Sequence, residues 1–371
     1  MPRFDRYLLT QLLAVFGFFA LVLVLVYWVN QAVGLFDQLI GDGQTALVFL
    51  EFSVLTLPNV ISLVLPIAAF AAAVFVANRL TQDSEMVVMQ ATGFSSFRLA
   101  RPVVIFGLIV AAGLLVLTHV LVPASREALV LRYAEIRQNV TARFLTDGRF
   151  TNPAPGLTFY VRELAPSGEL LDLFLTDARN PDRTMTYTAQ KALFARTEMG
   201  PKLLMFNGLV QQIDAQKQRL SLTRFADFTY DLAGLIPQVT PKARNLGALS
   251  TAELLAADPA DLAETGATRA NFLYSGHNRF AQPFLAVGAA LIGFAALLMG
   301  SFSRFGMWRQ VGVAIVLLVM VQGVSTVATG MGLRSDKGWI WAYAAPIFGV
   351  ALGGSMLWWS ERPRRVRRAF A

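Results

Sequence analysis

Apolar residues run almost without interruption over residues 8–33, 47–78, 102–121, 280–299, 311–333 and 339–359. Each run reaches the roughly 20 residues that a helix needs to cross a bilayer. The first could be a secretory signal, but its apolar part is too long and lacks a small-x-small cleavage site, so a retained span is expected. Tyr27, Trp28, Asn30 and Gln31 at its far end have the amphipathic character of a membrane interface, and Asp37 and Asp42 mark a short polar loop. The second run contains Pro58 and Pro66 and exceeds a straight span, which predicts a kink or a projection beyond the lipid.

Between the third and fourth runs the pattern changes to alternation. Met185, Tyr187 and Ala189 oppose threonines, and Leu222, Ala226, Phe228, Tyr230 and Leu232 share a face against Ser221, Thr223, Asp227, Thr229 and Asp231. Arg224 and Phe225 interrupt that second alternation, which predicts a bulge. Residues 157–161, 170–175 and 203–213 add strands separated by Asn-Pro, Pro-Gly and Ser-Gly turns, the pattern of an antiparallel sandwich or jelly roll. Residues 125–143 predict a helix prolonging the third span, and Ser250 with Glu253 forms a capping box. The expected fold is an α-helical integral membrane protein with six transmembrane helices and an inserted all-β jelly-roll domain. Its expected parts are residues 1–122, 123–249 and 250–371.

Residues 81–95, TQDSEMVVMQATGFS, fit neither pattern. The stretch is too short to span and predicts a helix over 82–93. Asp83, Ser84 and Glu85 are expected in its first turn and Gly93 at its stop. Met86, Val87, Val88, Met89 and Ala91 go all the way round, with Gln90 among them, so the helix wants cover on more than one side.

Composition and charge narrow the class. The chain has 371 residues, 55% hydrophobic and 15% charged, with a mean hydropathy of +0.52, too apolar for an ordinary globular domain. It has no cysteine and only His119 and His277, so neither a disulfide framework nor a metal centre is expected. The net charge of +8 lies in arginine clusters flanking the spans, which speaks for membrane topology and against nucleic acid. Arg3, Arg6, Arg79, Arg98, Arg101, Arg304, Arg309 and the tail of Arg362, Arg364, Arg365, Arg367 and Arg368 fall on one side. Both termini and residues 81–95 are therefore expected in the cytoplasm and the β domain outside. No Walker A loop, G-x-S-x-G or H-E-x-x-H occurs, so no enzyme activity is expected. Glu51 is the main charge within a span, and that scarcity argues against an ion-coupled transporter and for energy supplied by a partner.

SEMVVMQATGFS, the opening RYLL of the first helix, and the order three spans, β domain, three spans resemble the LptF/LptG family of lipopolysaccharide export permeases. The resemblance implies that residues 82–93 are a coupling helix docking into an ATPase subunit, with Asp83, Ser84, Glu85, Met86, Val87, Met89 and Gln90 at the contact. It implies as partners a paralogous LptG-type permease, a dimeric cytoplasmic ATPase carrying ATP and Mg, a jelly-roll bridge protein and a single-span regulatory subunit; this chain itself takes no cofactor. The lipid path implied in the β domain is Met185, Tyr187, Leu222, Ala226, Phe228 and Tyr230. The membrane cavity implied is Asn30, Gln31, Gln322, Ser325 and Thr326. GRF at Gly148, LTFYVREL and LLDLFLTDAR look more like the LptF type, as does the absence of lysine near the outer end of the first span. One departure is Ser275, where the family commonly has an acidic residue four positions before the arginine matching Arg279.

Blander readings stand beside these. Glu85 can simply favour the helix dipole, worth roughly 0.3–1 kcal/mol, and the arginine tail can anchor topology. His119 and His277 can be interface hydrogen-bonders, and Gly349 with Gly353 predicts close packing of the last span. A non-transporting anchor for the β domain, a permease for another lipid and a membrane-embedded enzyme are the competing functions.

Overall fold

The computed structural model describes residues 3–41, 45–138, 148–165, 168–180, 183–197, 200–214, 219–231, 245–299 and 308–361. Asp42, Leu232, Arg304 and the arginine tail lie outside the described residues. Each expected span is helical. Helix α1 covers Arg3–Gly41 and α2 Ala46–Gln82; after the short α3, Glu85–Ala91, come α4, Ser96–Val116, a π turn at Leu117–Leu121, and α5, Val122–Gln138. Short helices α6, Thr251–Ala256, and α7, Pro259–Thr265, precede α8, Arg269–Ala281. A 3₁₀ turn at Gln282–Phe284 joins α8 to α9, Leu285–Leu298; α10, Trp308–Gly332, and α11, Ala344–Glu361, complete the set. Six helical stretches among the described residues are long and apolar enough to cross a membrane. At 1.5 Å per residue the continuous helix α2 is about 55 Å long against a lipid core of about 30 Å, more than a straight span requires.

The chain divides into two compact units, one helical and built from the two ends of the sequence, the other containing the strands. In the helical unit α9 is the hub. Every residue from Ala286 to Leu297 is buried, among them seven alanines and glycines whose small side chains let α2, α4, α10 and α11 close around it. A Cβ at Gly353 would sit 2.8 Å from Leu291 Cβ, and one at Gly288 3.0 Å from the Gly349 carbonyl carbon, so the close packing expected of the last span falls on α9. By contrast α1 and α10 are poorly covered. Their most apolar windows are 6% and 17% buried, against 78% for α8 with α9.

The strands β1 (Phe150–Ala154), β2 (Leu157–Leu164), β3 (Leu170–Asn180), β4 (Arg183–Thr197), β5 (Gly200–Asp214) and β6 (Arg219–Asp231) form one antiparallel sheet in sequence order. The all-β insert is present; its described connectivity is a meander, where a jelly roll predicts crossovers between two sheets. Short links let each strand pair with the next. The sheet nevertheless curls, because Tyr230 on β6 donates its hydroxyl to Asp177 on β3 at 2.8 Å across two intervening strands.

One irregularity crosses the sheet. Pairing skips Arg162 with Asp172, Asp172 with Gln190, Gln190 with Asn207, and Asn207 with Ala226, yet the register on both sides of this row is the same. Asp172 and Asn207 have φ of 48° and 52°, the left-handed region tolerated best by such side chains. Across the row the buried residues change parity: Leu173 and Leu175 give way to Leu170, Tyr187 and Ala189 to Ala192, and Phe225 to Phe228 and Tyr230. The row is a crease, and it corrects the expected face of β6. Leu222 is 59% exposed and Ala226 is exposed, while Phe228 and Tyr230 join the core, so these four do not share a face. The interruption at Arg224 and Phe225 marks the crease rather than a one-strand bulge, and the Phe225 ring lies over Gly208.

Replacing Gly353 by valine is expected to force α11 away from α9 and to cost about 1–3 kcal/mol. A lowered melting temperature of the detergent-solubilised chain tests this. Gly354→Val, where no atom lies within 4 Å of an added Cβ, is the neutral control.

Candidate functional site

Helix α3 hangs between two spans and is set apart from α2 by two residues, Asp83 and Ser84. Ser84 adopts the left-handed conformation at φ 60°, with no side-chain cap. Asp83 follows the last residue of α2 and turns back on it, its N–H bonding Arg79 O at 2.9 Å and its carboxylate pairing with the Arg79 side chain at 3.5 Å. The expected first turn of Asp83, Ser84 and Glu85 is thus corrected: the helix begins at Glu85, and the two residues before it form the break. At the other end, Gly93 N bonds Gln90 O at 3.0 Å and Phe94 N bonds Met89 O at 3.2 Å, a Schellman closure that the φ of +90° at Gly93 allows. Ser95 then caps α4 through Arg98 N at 3.2 Å.

The two faces of α3 differ. Met86 is buried and Met89 half-buried against the bundle, while Val87 and Val88 are 50% and 59% exposed, with Gln90 beside them. Glu85 accepts from the Tyr7 hydroxyl of α1 at 3.3 Å. Close by, Arg98 donates to Asp5 at 2.7 Å and its guanidinium lies over the Phe94 ring at 5.6 Å. Asp5 is 1% exposed, so this ion pair is sheltered and ties the start of α1 to the turn that closes α3. Sequence reasoning missed Asp5, Tyr7, Phe94 and Arg98. The charge of Asp5 inside an arginine-flanked start was the available signal.

In the strand unit, four of the six residues expected on the lipid path come together. Tyr187 stacks on Phe228 at 5.3 Å and meets Tyr230 edge-on at 5.1 Å, and its hydroxyl points to the Met185 sulfur at 3.5 Å. Leu222 and Ala226 are not in this cluster. The apolar face is closed by its own side chains, with Tyr187 and Tyr230 4% and 8% exposed. Arg179 grips Asp177 through two bonds of 2.8 and 2.7 Å, and with the Tyr230 hydroxyl they form a latch at the rim. The Arg179 bonds hold the Asp177 carboxyl well below its ordinary range, at about 2, with the Tyr230 bond adding to the shift and partial burial opposing it. Burial, then the bond to Asp177, pushes the Tyr230 phenol up.

The sequence model of the family described as the lipopolysaccharide export system permease LptF/LptG matches residues 6–360. The chain belongs to the LptF/LptG permease family. Membership makes it a multi-pass membrane component of a transport system, with no catalysis of its own. The uncharacterized protein RP871 of Rickettsia prowazekii (strain Madrid E) is 21% identical over 223 residues, covering 60% of this chain and 62% of that protein.

The polar residues expected to line a membrane cavity lie on the two least covered helices of the permease. Asn30 and Gln31 are exposed on α1; Gln322 and Thr326 are exposed and Ser325 half-exposed on α10. Thr326 returns its hydroxyl to Gln322 O at 3.1 Å, and no hydrogen bond joins the α1 group to the α10 group among the described residues. Exposed amides are costly against lipid tails. These two surfaces of the permease therefore call for cover by protein or contact with a polar cavity.

The latch gives the permease an acid-sensitive sheet. The depressed Asp177 pKa stabilises the fold fully above the unfolded carboxyl value of about 3.9, and this contribution is lost as pH falls towards about 2. Hydrogen-exchange protection of β3 and β6 is expected to drop over that window, and Asp177→Asn should remove the dependence.

Proposed function

We propose that this chain is the LptF-type permease of a lipopolysaccharide exporter. It pairs with a paralogous LptG-type permease and is driven by a dimeric cytoplasmic ATPase that carries ATP and Mg. In this reading both termini and α3 are cytoplasmic and the β domain is periplasmic, in keeping with the arginines at Arg3, Arg6, Arg79, Arg98, Arg101 and Arg309. Lipopolysaccharide leaves the outer leaflet of the inner membrane for a cavity between the two permeases, near Asn30, Gln31, Gln322, Ser325 and Thr326. It then passes along the apolar face of the sheet to a jelly-roll bridge protein, with a single-span subunit regulating the step. An acyl chain gains about 0.8 kcal/mol for each methylene it buries on such a path.

The observation that carries the reading is the two-faced α3. One side is anchored in the bundle by Met86 and Met89. The other presents Val87, Val88 and Gln90 to solvent beside Glu85, a carboxylate positioned by Tyr7. A short helix fixed at its base and apolar at its tip is suited to sit in a groove of a moving partner. The methionines beneath it tolerate repacking.

Glu85→Lys, and more mildly Glu85→Ala, is expected to lower ATPase recovery on co-purification and lipopolysaccharide-stimulated ATP turnover by about tenfold, the equivalent of ~1.4 kcal/mol. Unchanged recovery and turnover in both variants would refute the coupling role of α3.

For the lipid path, a photoreactive residue at position 228 or 230 should yield lipopolysaccharide adducts that depend on ATP turnover. Position 229, whose side chain is exposed on the opposite face, should not. The absence of adducts from both 228 and 230 would remove the sheet from the path.

A further inference from the structure

The helical unit holds a cavity of about 470 Å³ that the proposed transport route does not use. Asn59 and Ser62 of α2, Arg126 of α5, and Ser275, Asn278 and Arg279 of α8 line it, together with the backbone at Gly247. About 30 Å of helix separates Arg279 from Met299 and about 35 Å separates Asn59 from Gln82. Each is close to one lipid-core thickness, so the cavity lies at the headgroup level of one leaflet.

Its chemistry is cationic. Arg126 donates to Asn59 Oδ1 at 2.6 Å, and Arg279 donates to Thr251 Oγ1 at 3.1 Å and to the carbonyls of Leu246 and Gly247 at 3.4 and 3.3 Å. All these acceptors are neutral, and two guanidiniums carry more N–H donors than these bonds use. Among the described residues no carboxylate lies within ion-pair distance of either arginine. Glu253, two residues after Thr251, caps α6, accepting from Ser250 N at 2.6 Å; beyond contact distance it still attracts Arg279 and partly offsets the repulsion from Arg126.

The two arginines also converge. Arg279 Nη2 bonds Gly247 O, and a Cβ added to Gly247 would collide with Arg126 Nη1. Two like charges held in one partly buried cavity repel unless an anion sits between them. The guanidinium fork matches the oxygens of a phosphate group, and the hydroxyl and amide donors of Ser62, Ser275 and Asn278 suit its remaining oxygens.

We propose that this cavity is a phosphate-binding site, held by Arg126 and Arg279, that takes either the phosphate of an anionic lipid headgroup or free phosphate. The site stands on the cavity alone and is independent of whether the chain exports lipopolysaccharide. Arg126→Gln keeps an amide donor for Asn59 while removing the charge. Ser275→Glu places a carboxylate in the cavity and balances the arginines from within.

The full chain in neutral detergent is titrated with dioleoyl phosphatidic acid and with dioleoylglycerol as its phosphate-free counterpart, and binding is read by native mass spectrometry. Sodium phosphate is titrated separately and followed by phosphorus NMR linewidth. Phosphatidic acid is expected to bind at least about tenfold more tightly than dioleoylglycerol if the source is a lipid. Saturable binding of inorganic phosphate without that preference identifies a free-phosphate site. In either case Arg126→Gln weakens binding by about tenfold and Ser275→Glu abolishes it, with the melting temperature of the unliganded chain retained. Equal binding of the two lipids together with no phosphate binding overturns the proposal, as does wild-type binding in both variants.

Discussion

The helical unit depends on one condition, that α9 be thin enough for neighbouring helices to reach it from every side. In a bilayer there is little hydrophobic drive for one apolar helix to leave lipid for another, so packing must come from close van der Waals contact. Alanines and glycines along α9 permit that contact, and α2, α4 and α11 are positioned by it. Helix α10 reaches this seam along one side only, and both it and α1 keep most of their apolar surface free. The unit thus has a tight centre and loosely covered outer members, whose apolar surfaces are left to lipid or to another protein.

The same economy is seen in α3 and in the sheet. Helix α3 is held by few groups: a buried methionine, a Schellman turn, and the Asp5 to Arg98 and Tyr7 to Glu85 links from α1. The start of α1 and the base of α3 are thereby joined by short, directional contacts. The apolar face of the sheet, in turn, is occupied by its own aromatic residues. The side chains on that face are packed against one another, so any apolar ligand taken up there displaces contacts already made.

Much of the architecture was legible in the sequence because lipid imposes a strong pattern. Uninterrupted apolar runs located the six spans, and the capping box at Ser250 and Glu253 located α6. Helix α3 was legible in its place but not in its first turn, since local propensity could not tell that Asp83 would turn back on α2 against Arg79. The shared face of β6 failed for a related reason. Period-2 alternation assumes a regular strand, and the departure at Ala226 falls opposite Asn207 in a row that runs through five strands, which the β6 sequence cannot report. The Arg126 and Arg279 cavity was invisible because its residues come from segments far apart in the chain.

The crease also binds the strands together as a matter of bookkeeping along the chain. Because β2 to β6 each contribute one skipped residue at the same level, the pairing beyond that level stays in step. Deleting Asn207 alone would leave β5 one residue short, and every partner on its far side would meet the wrong neighbour and the wrong face. Insertions and deletions near this level are therefore tolerable only when several strands change at once. The mid-sheet lengths of five separate segments must vary as a single quantity.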